Sequence, residues 1–412
     1  MRLVRQASVL LLWAALVTSR GLFAQGVVEA LPPAVGALPP PAALADEAHV
    51  ALRAVDLRFV QPAGQPLLPS AASVKALYVN AWVFGSARLE RLVRLADETE
   101  INAFVVDVKD DTGCLLYPSE VPTARAIGAD RCPRTRDPRA RLDTLRVHGI
   151  YPIARIVVAK DPLLAEHKPR WSVHVANGAL WRDRIGSAWV DAYNDSVWVY
   201  AGQLAEEAVH MGFAEVQFDY VRFPDEPRER LASAIFSARR PGDTPRSAVH
   251  RHIQMLKAQL APLAVPVTFD IFGLTASATD DMGIGQVWED FSSVADVVLP
   301  MVYPSHYRAG AYGFAWPNGQ PYAIVHRALS EALGRSHAPE AAEVRPYLQA
   351  FTLGRRLPRY TPVEIRAEIR AAEELGVTSW VLWNPRSVYQ RAALRPYPTT
   401  VRLVGQDPAG GD

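Results

Sequence analysis

Short β-rich runs alternate with longer amphipathic ones through most of the chain, and this alternation constrains the fold more than any other feature. Strands are predicted over 74–82, 103–110, 151–159, 214–224, 265–273, 296–304, 344–354 and 377–385. Between them, helical spacing of apolar residues predicts helices over 86–100, 140–149, 197–212, 247–263, 287–295, 321–334 and 361–376. Strands separated by helices run parallel. Eight such units spread over roughly 310 residues suit a closed (β/α)8 TIM barrel. An open doubly wound sheet would usually carry a glycine-rich phosphate turn after its first strand. The corresponding stretch here, AWVFGSAR, has one glycine.

What precedes the barrel reads as an export signal. Arg2 and Arg5 are followed by an apolar stretch from Ser8 to Val17 and then by small residues, with cleavage expected near Ala24. An uncleaved signal anchor is the alternative. Residues 31–47 are rich in Pro and Ala and read as a semi-extended linker. The expected organisation is therefore a signal peptide (1–24), a linker and N-terminal extension (25–73), a barrel domain (74–395) and a tail (396–412). This implies a secreted or periplasmic protein with no stable membrane insertion once the signal is removed. An oxidising compartment makes a Cys114–Cys132 disulfide the natural reading of the two cysteines, with two free thiols as the alternative.

Composition narrows the partners. Lys and Arg total 44 against 43 Asp and Glu, a formal charge of +1, which lacks the basic excess of a nucleic-acid binder. With 49% hydrophobic residues the chain has material for a sizeable core. There is no Walker-type loop, GxSxG elbow, HExxH or Cys-x-x-Cys, so no cofactor and no zinc site is expected. His250 and His252 lie two apart on a predicted helix and read as a solvated turn.

Barrel enzymes carry their chemistry at the C-terminal ends of strands. Polar residues recur at these ends: Asp107, Lys109, Asp110 and Asp111 on the second strand, Arg155 on the third, Asp219 and Arg222 on the fourth, and Asp270 on the fifth. Tyr303 and His306 follow on the sixth, Gln349 on the seventh, and Trp383 and Asn384 on the eighth. Period-two alternation puts Asp107 with Lys109, and Gln217 with Asp219, on common faces. The expected barrel mouth is therefore lined by Asp107, Lys109, Asp219 and Asp270. Asp110, Asp111 and Asp225 read as turn formers. Asp219 and Asp270 lie inside apolar runs, where burying a carboxylate without a task is costly. Arg222 is placed either to pair with Asp219 or to hold it ionised.

Two carboxylates on neighbouring strand tips suit glycosidic-bond hydrolysis, one protonating the leaving oxygen and the other attacking the sugar or activating water. Aromatic residues in the loops, including Trp171, Trp181, Trp189, Tyr193, Tyr307 and Trp316, offer ring faces for a sugar, although each alone is as consistent with core packing. The expected substrate is a polysaccharide or oligosaccharide, with Asp219 and Asp270 catalytic. Asp107, Lys109, Arg155, Arg222, Tyr303, His306, Gln349, Trp383 and Asn384 are the expected substrate-binding residues. A non-catalytic carbohydrate-binding barrel is one alternative. A metal-assisted hydrolase using Asp107, Asp110 and Asp111 is another.

Three stretches carry a resemblance: VVDVKDDTGCLLYPSEVPTARAIGA, WVDAYNDSVWVYAGQLAEEAVHMGFAEVQFDYVRFPDE and VVLPMVYPSHY. They resemble the bacterial exported "putative glycoside hydrolase" domain family, over roughly Val74 to Tyr389. The resemblance implies a TIM barrel acting on carbohydrate. By analogy with α-amylase-like barrels, Asp219 corresponds to the nucleophile. Those barrels place a Glu acid/base on the fifth strand, where this chain has Asp270.

Overall fold

The computed structural model describes residues 73–397 apart from 339, 355 and 356. The expected signal peptide, nearly all of the expected linker, and residues 398–412 lie outside the described residues.

Nine strand segments build the wall of the barrel: β1 Lys75–Val79, β2 Ala103–Lys109, β3 Tyr151–Val157, β4 Glu215–Asp219, β5 Val267–Phe272, β6 Val297–Met301, β7 Glu343–Val344, β8 Tyr347–Gln349 and β9 Trp380–Trp383. All pairings between them are parallel: β1 to β6 pair in turn, β6 pairs with both β7 and β8, β8 pairs with β9, and β9 returns to β1 through Ala76 and Val381. The sheet is thus closed on itself. β7 and β8 are two pieces of one barrel position, because both pair with β6. The fold is a (β/α)8 TIM barrel.

The crossover helices follow the sequence pattern closely. They include α1 Arg88–Asp97, α2 Pro122–Ile127, α3 Pro138–Val147, α4 Pro162–His167, α5 Asp195–Met211, α6 Pro245–Leu260, α7 Trp288–Ser292, α8 Pro321–Arg335 and α9 Pro362–Glu374. Their starts are chemically marked. Thr244 and Thr361 form capping boxes with Ser247 and Glu364, and proline occupies the first turn of both helices. The short α2 and α4 escape hydrophobic periodicity because each spans fewer than two turns.

Alternation along each strand sorts side chains into two cores. Ala76, Val105, Ile153, Leu299, Tyr347 and Val381 fill the barrel interior. Leu77, Phe104, Ile156, Phe218, Phe269 and Leu382 pack outward beneath the helices. Two prolines interrupt the wall at one joint. Pro300 lies within β6, and Pro346 separates β7 from β8. The seventh strand, expected to run unbroken over 344–354, is split because proline gives no amide hydrogen to a ladder.

Cys114 and Cys132 are joined by a disulfide across 18 residues of sequence. Among the described residues no helix is long and apolar enough to cross a membrane.

Candidate active site

Four strands deliver charged side chains to one level of the barrel interior. On β4 the alternation turns Glu215, Gln217 and Asp219 inward and leaves Val216 and Phe218 to the outer core. On β2 and β3, Asp107 and Arg155 are register partners. Asp270 comes from the middle of β5. Arg155 gathers all three carboxylates. Its Nη1 donates to Asp107, its Nη2 donates to Asp219, and its Nε lies 3.6 Å from Asp270 Oδ2. Tyr78 donates its hydroxyl to the second oxygen of Asp107. Gln217 Nε2 donates to both oxygens of Asp270, at 2.8 and 3.0 Å, and reaches the Tyr347 hydroxyl at 2.6 Å. The second oxygen of Asp219 accepts from the Tyr220 amide.

Three buried carboxylates around a single guanidinium cannot all carry full charge at low cost. Burial pushes Asp107 up to about 6, against the opposing pull of Arg155. Burial drives Asp270 well above the usual carboxylate range, and the neighbouring charge of Asp219 drives it further. Arg155 and the Gln217 amide act in the other direction without reversing this.

Above this cluster opens a cavity of about 690 Å³ with Arg155, Asp219 and Asp270 on its floor. One wall is aromatic: Tyr303 stacks on Trp383 with ring centroids 5.3 Å apart. The opposite wall is built by Trp189, Tyr220 and Phe272 around Arg222. Tyr220 has a positive φ of 54°, a conformation a bulky side chain rarely adopts outside strained functional turns. Gly273 closes the end of β5. A Cβ there would fall 2.5 Å from the Met301 carbonyl oxygen, so glycine is what lets the loop after β5 seat against β6.

With this geometry in place, the family follows. The model of the "Putative glycosyl hydrolase domain" family matches residues 76–389, most of the chain. The chain belongs to that family. Among solved structures, this glycosyl hydrolase domain is similar to a hypothetical protein from Ruminiclostridium thermocellum, with 36% identity over 50% of this chain and 98% of the other and a TM-score of 0.43. It is also similar to the glycoside hydrolase domain of PgaB (BpsB) from Bordetella bronchiseptica. There the identity is 13%, the coverage 76% of this chain and 95% of the other, and the TM-score 0.53. That likeness concerns the barrel fold. The glycoside hydrolase domain of PelA from Pseudomonas aeruginosa matches at 16% identity over 77% and 96% of the two chains, with a TM-score of 0.43. A comparison with curated proteins finds no significant match.

Of the residues singled out from sequence, the glycosyl hydrolase domain brings Asp219, Asp270, Arg155, Arg222, Tyr303, His306 and Trp383 to the cavity. Asp107 sits beside its floor through Arg155. Lys109 goes elsewhere. A register irregularity between Asp107 and Lys109 breaks the alternation, so the two do not share a face. Lys109 is buried, pairs with Asp161 at 2.7 Å and donates to the Val157 carbonyl. Gln349 accepts from the Ser305 amide and donates to the Phe351 carbonyl. Asn384 donates to the Ala350 carbonyl and accepts from the Arg386 amide. Both therefore tie loops together and do not line the cavity.

Arg222 makes no ion pair with Asp219. Its Nη1 donates to the Phe223 carbonyl, and its Nε has no partner. On strand two, Asp110 accepts from the Thr112 amide and Asp111 pairs with Lys160 at 3.0 Å. Among the described residues no group of three or more His, Cys, Asp or Glu is placed to hold a metal ion. The expected solvated turn at His252 is corrected. The ring is fully buried, stacked on Trp198 and 2.9 Å from Asp195, because it faces α5 across the helix pair. Trp181 is buried in the core, whereas Trp316 is exposed. Sequence pattern alone assigned no role to Tyr78, Gln217 or Tyr347. The same alternation that singled out Asp219 places Gln217 on its face, two residues earlier.

Proposed function

We propose that the chain is an exported glycoside hydrolase that cleaves a polysaccharide or oligosaccharide by two-carboxylate chemistry. The observation that carries this reading is the convergence of Asp219 and Asp270, from adjacent strands, on one guanidinium at the floor of a solvent-open, aromatic-walled cavity. Asp270, held protonated by burial and by the charge of Asp219, gives its proton to the glycosidic oxygen as the bond to the anomeric carbon breaks. An Asp219 oxygen forms the new bond to that carbon. Water then attacks the same carbon, gives its proton to Asp270 and releases Asp219. Sharing one guanidinium keeps the two carboxyl groups close, which favours the retaining arrangement over the wider inverting one. Arg155 fixes the Asp219 oxygen that does not attack, and Asp107 with Tyr78 fixes Arg155. The signal-like N-terminus and the disulfide support export.

The test is a glycan panel with reducing-end detection, followed by NMR of the first anomer released. Turnover abolished by Asp219→Asn, with the product first formed in the substrate's own anomeric configuration, is the expected result. Full activity in that variant overturns the assignment. The near-complete burial of Asp270 favours one rival, a barrel that binds glycans without cutting them. Glycan binding with no reducing ends released, unchanged in Asp219→Asn, would establish it.

A further inference from the structure

We infer that the cavity receives a glycan bearing an anionic substituent, a uronate carboxylate or a sulfate ester, and that Arg222 is the group that meets it. This rests on reading the cavity as a sugar site and adds the substrate's charge to it.

Arg222 is 8% exposed, yet it lines the cavity. Buried cations are normally paired with an anion. This one has none among the described residues. Its guanidinium carbon lies 4.5 Å from the centre of the Phe272 ring, 4.7 Å from that of Tyr220 and 5.3 Å from that of Trp189. Ring faces attract a cation but offer it no hydrogen-bond acceptor. One protein acceptor, the Phe223 carbonyl at 3.1 Å, serves five N–H donors, and Nε is left without a partner.

The site is built. Tyr220, whose ring packs on the guanidinium, holds its strained backbone directly after Asp219. Four acids lie nearby: Asp219 and Asp225 act on Arg222 electrostatically but form no ion pair with it, Asp219 giving its oxygens to Arg155 and the Tyr220 amide, and Asp183 and Glu226 are engaged elsewhere. Asp183 spends its oxygens on the Ile185 and Ser187 amides and the Trp189 indole. Glu226 turns to the Arg184 amide and the Arg230 guanidinium. A second guanidinium on the cavity, Arg308, is exposed and likewise has no ion pair among the described residues. A planar carboxylate or a sulfate matches the fork of an arginine in a way that a hydroxyl does not.

The experiment is calorimetric titration of the full chain carrying Asp219→Asn, so that nothing is consumed. The probes are oligogalacturonate, oligoalginate, hyaluronan fragments and sulfated galactan oligosaccharides, each beside its carboxyl-reduced or desulfated counterpart. At least one acidic probe is expected to bind roughly tenfold more tightly than its neutral twin, with a preference that shrinks as salt is added. The carboxylate and sulfate arms separate the two sources. Adding Arg222→Gln should remove that preference, weakening the acidic probe by far more than its neutral twin, while Arg222→Lys should keep part of it. Should Arg222→Gln fail to fold by circular dichroism, the Arg222→Lys protein and the wild-type preference decide. Equal binding of acidic and neutral twins, binding of no acidic probe, or a preference untouched in the Arg222 variants overturns the inference. Acidic preference without any cleavage by the wild-type protein would sink the hydrolase reading alone. Cleavage confined to neutral glycans would sink this inference alone.

Discussion

Gln217 offers one side-chain amide to both oxygens of Asp270, at 2.8 and 3.0 Å. The bond favours the charged form of Asp270 and so holds its pKa below where burial alone would set it. A general acid works while protonated, and activity falls as pH rises through its pKa. Gln217→Leu should therefore move the alkaline limb of the pH–rate profile upward by about one pH unit. A limb that stays in place would detach Asp270 from the proton transfer.

Asp107 gives a second pH signature, in stability. Its pKa rises on folding from 3.8 to about 6, so between these values the folded state binds more protons than the unfolded state. Stability then falls as pH rises. The contribution is fully present below pH 3.8 and is lost through about pH 6. A rise of that size corresponds to about 3 kcal/mol. Denaturant unfolding at pH 4 and pH 7 should show a smaller drop in Asp107→Asn than in the wild-type protein. Parallel pH profiles in the two proteins would contradict this.

Replacing the shared cation should be harsher than replacing any one of its partners. An ammonium group cannot span three carboxylates at once. Arg155→Lys is expected to lower kcat by roughly a hundredfold while the barrel remains folded. Arg155→Met, which leaves buried carboxylates uncompensated, should also cost about 3–5 kcal/mol of stability. Steady-state kinetics and equilibrium unfolding measure the two effects separately.

The disulfide bears on stability and not on chemistry, since neither cysteine lines the cavity. Closing a loop of 18 residues is worth about 3 kcal/mol in the chain-entropy account. Cys114→Ser combined with Cys132→Ser should lose that much in denaturant titration and keep its kcat. A fall in kcat at temperatures where the variant is fully folded would show that the loop also reaches the active site.

The barrel was legible because its signal is periodic. Strand runs such as VVDV and VTFDIF and the helices between them repeat one physical pattern, and register then follows from closure. The same alternation carried Asp219 and Asp270 inward. It misplaced Lys109, because a bulge inverts the face of a strand and leaves no mark in hydrophobicity. Gln349 and Asn384 were misplaced for a different reason. A polar residue at a strand end satisfies loop backbone as readily as it faces a ligand, and composition does not distinguish the two. Arg155's threefold role was invisible too, since it depends on how far side chains from β2, β4 and β5 reach across the interior.

The prolines at 300 and 346 have a mechanical consequence. Between the Val298–Val344 and Met301–Tyr347 pairs, the sixth and seventh staves of the barrel share no register partner. The ladder is therefore interrupted there, next to Tyr303 and Tyr347 on the cavity wall. Thermal breathing should begin at that joint, with amide hydrogens at Met301 and Tyr347 exchanging before those of β2 and β3. Give in the pocket for a bulky chain would then come from that side.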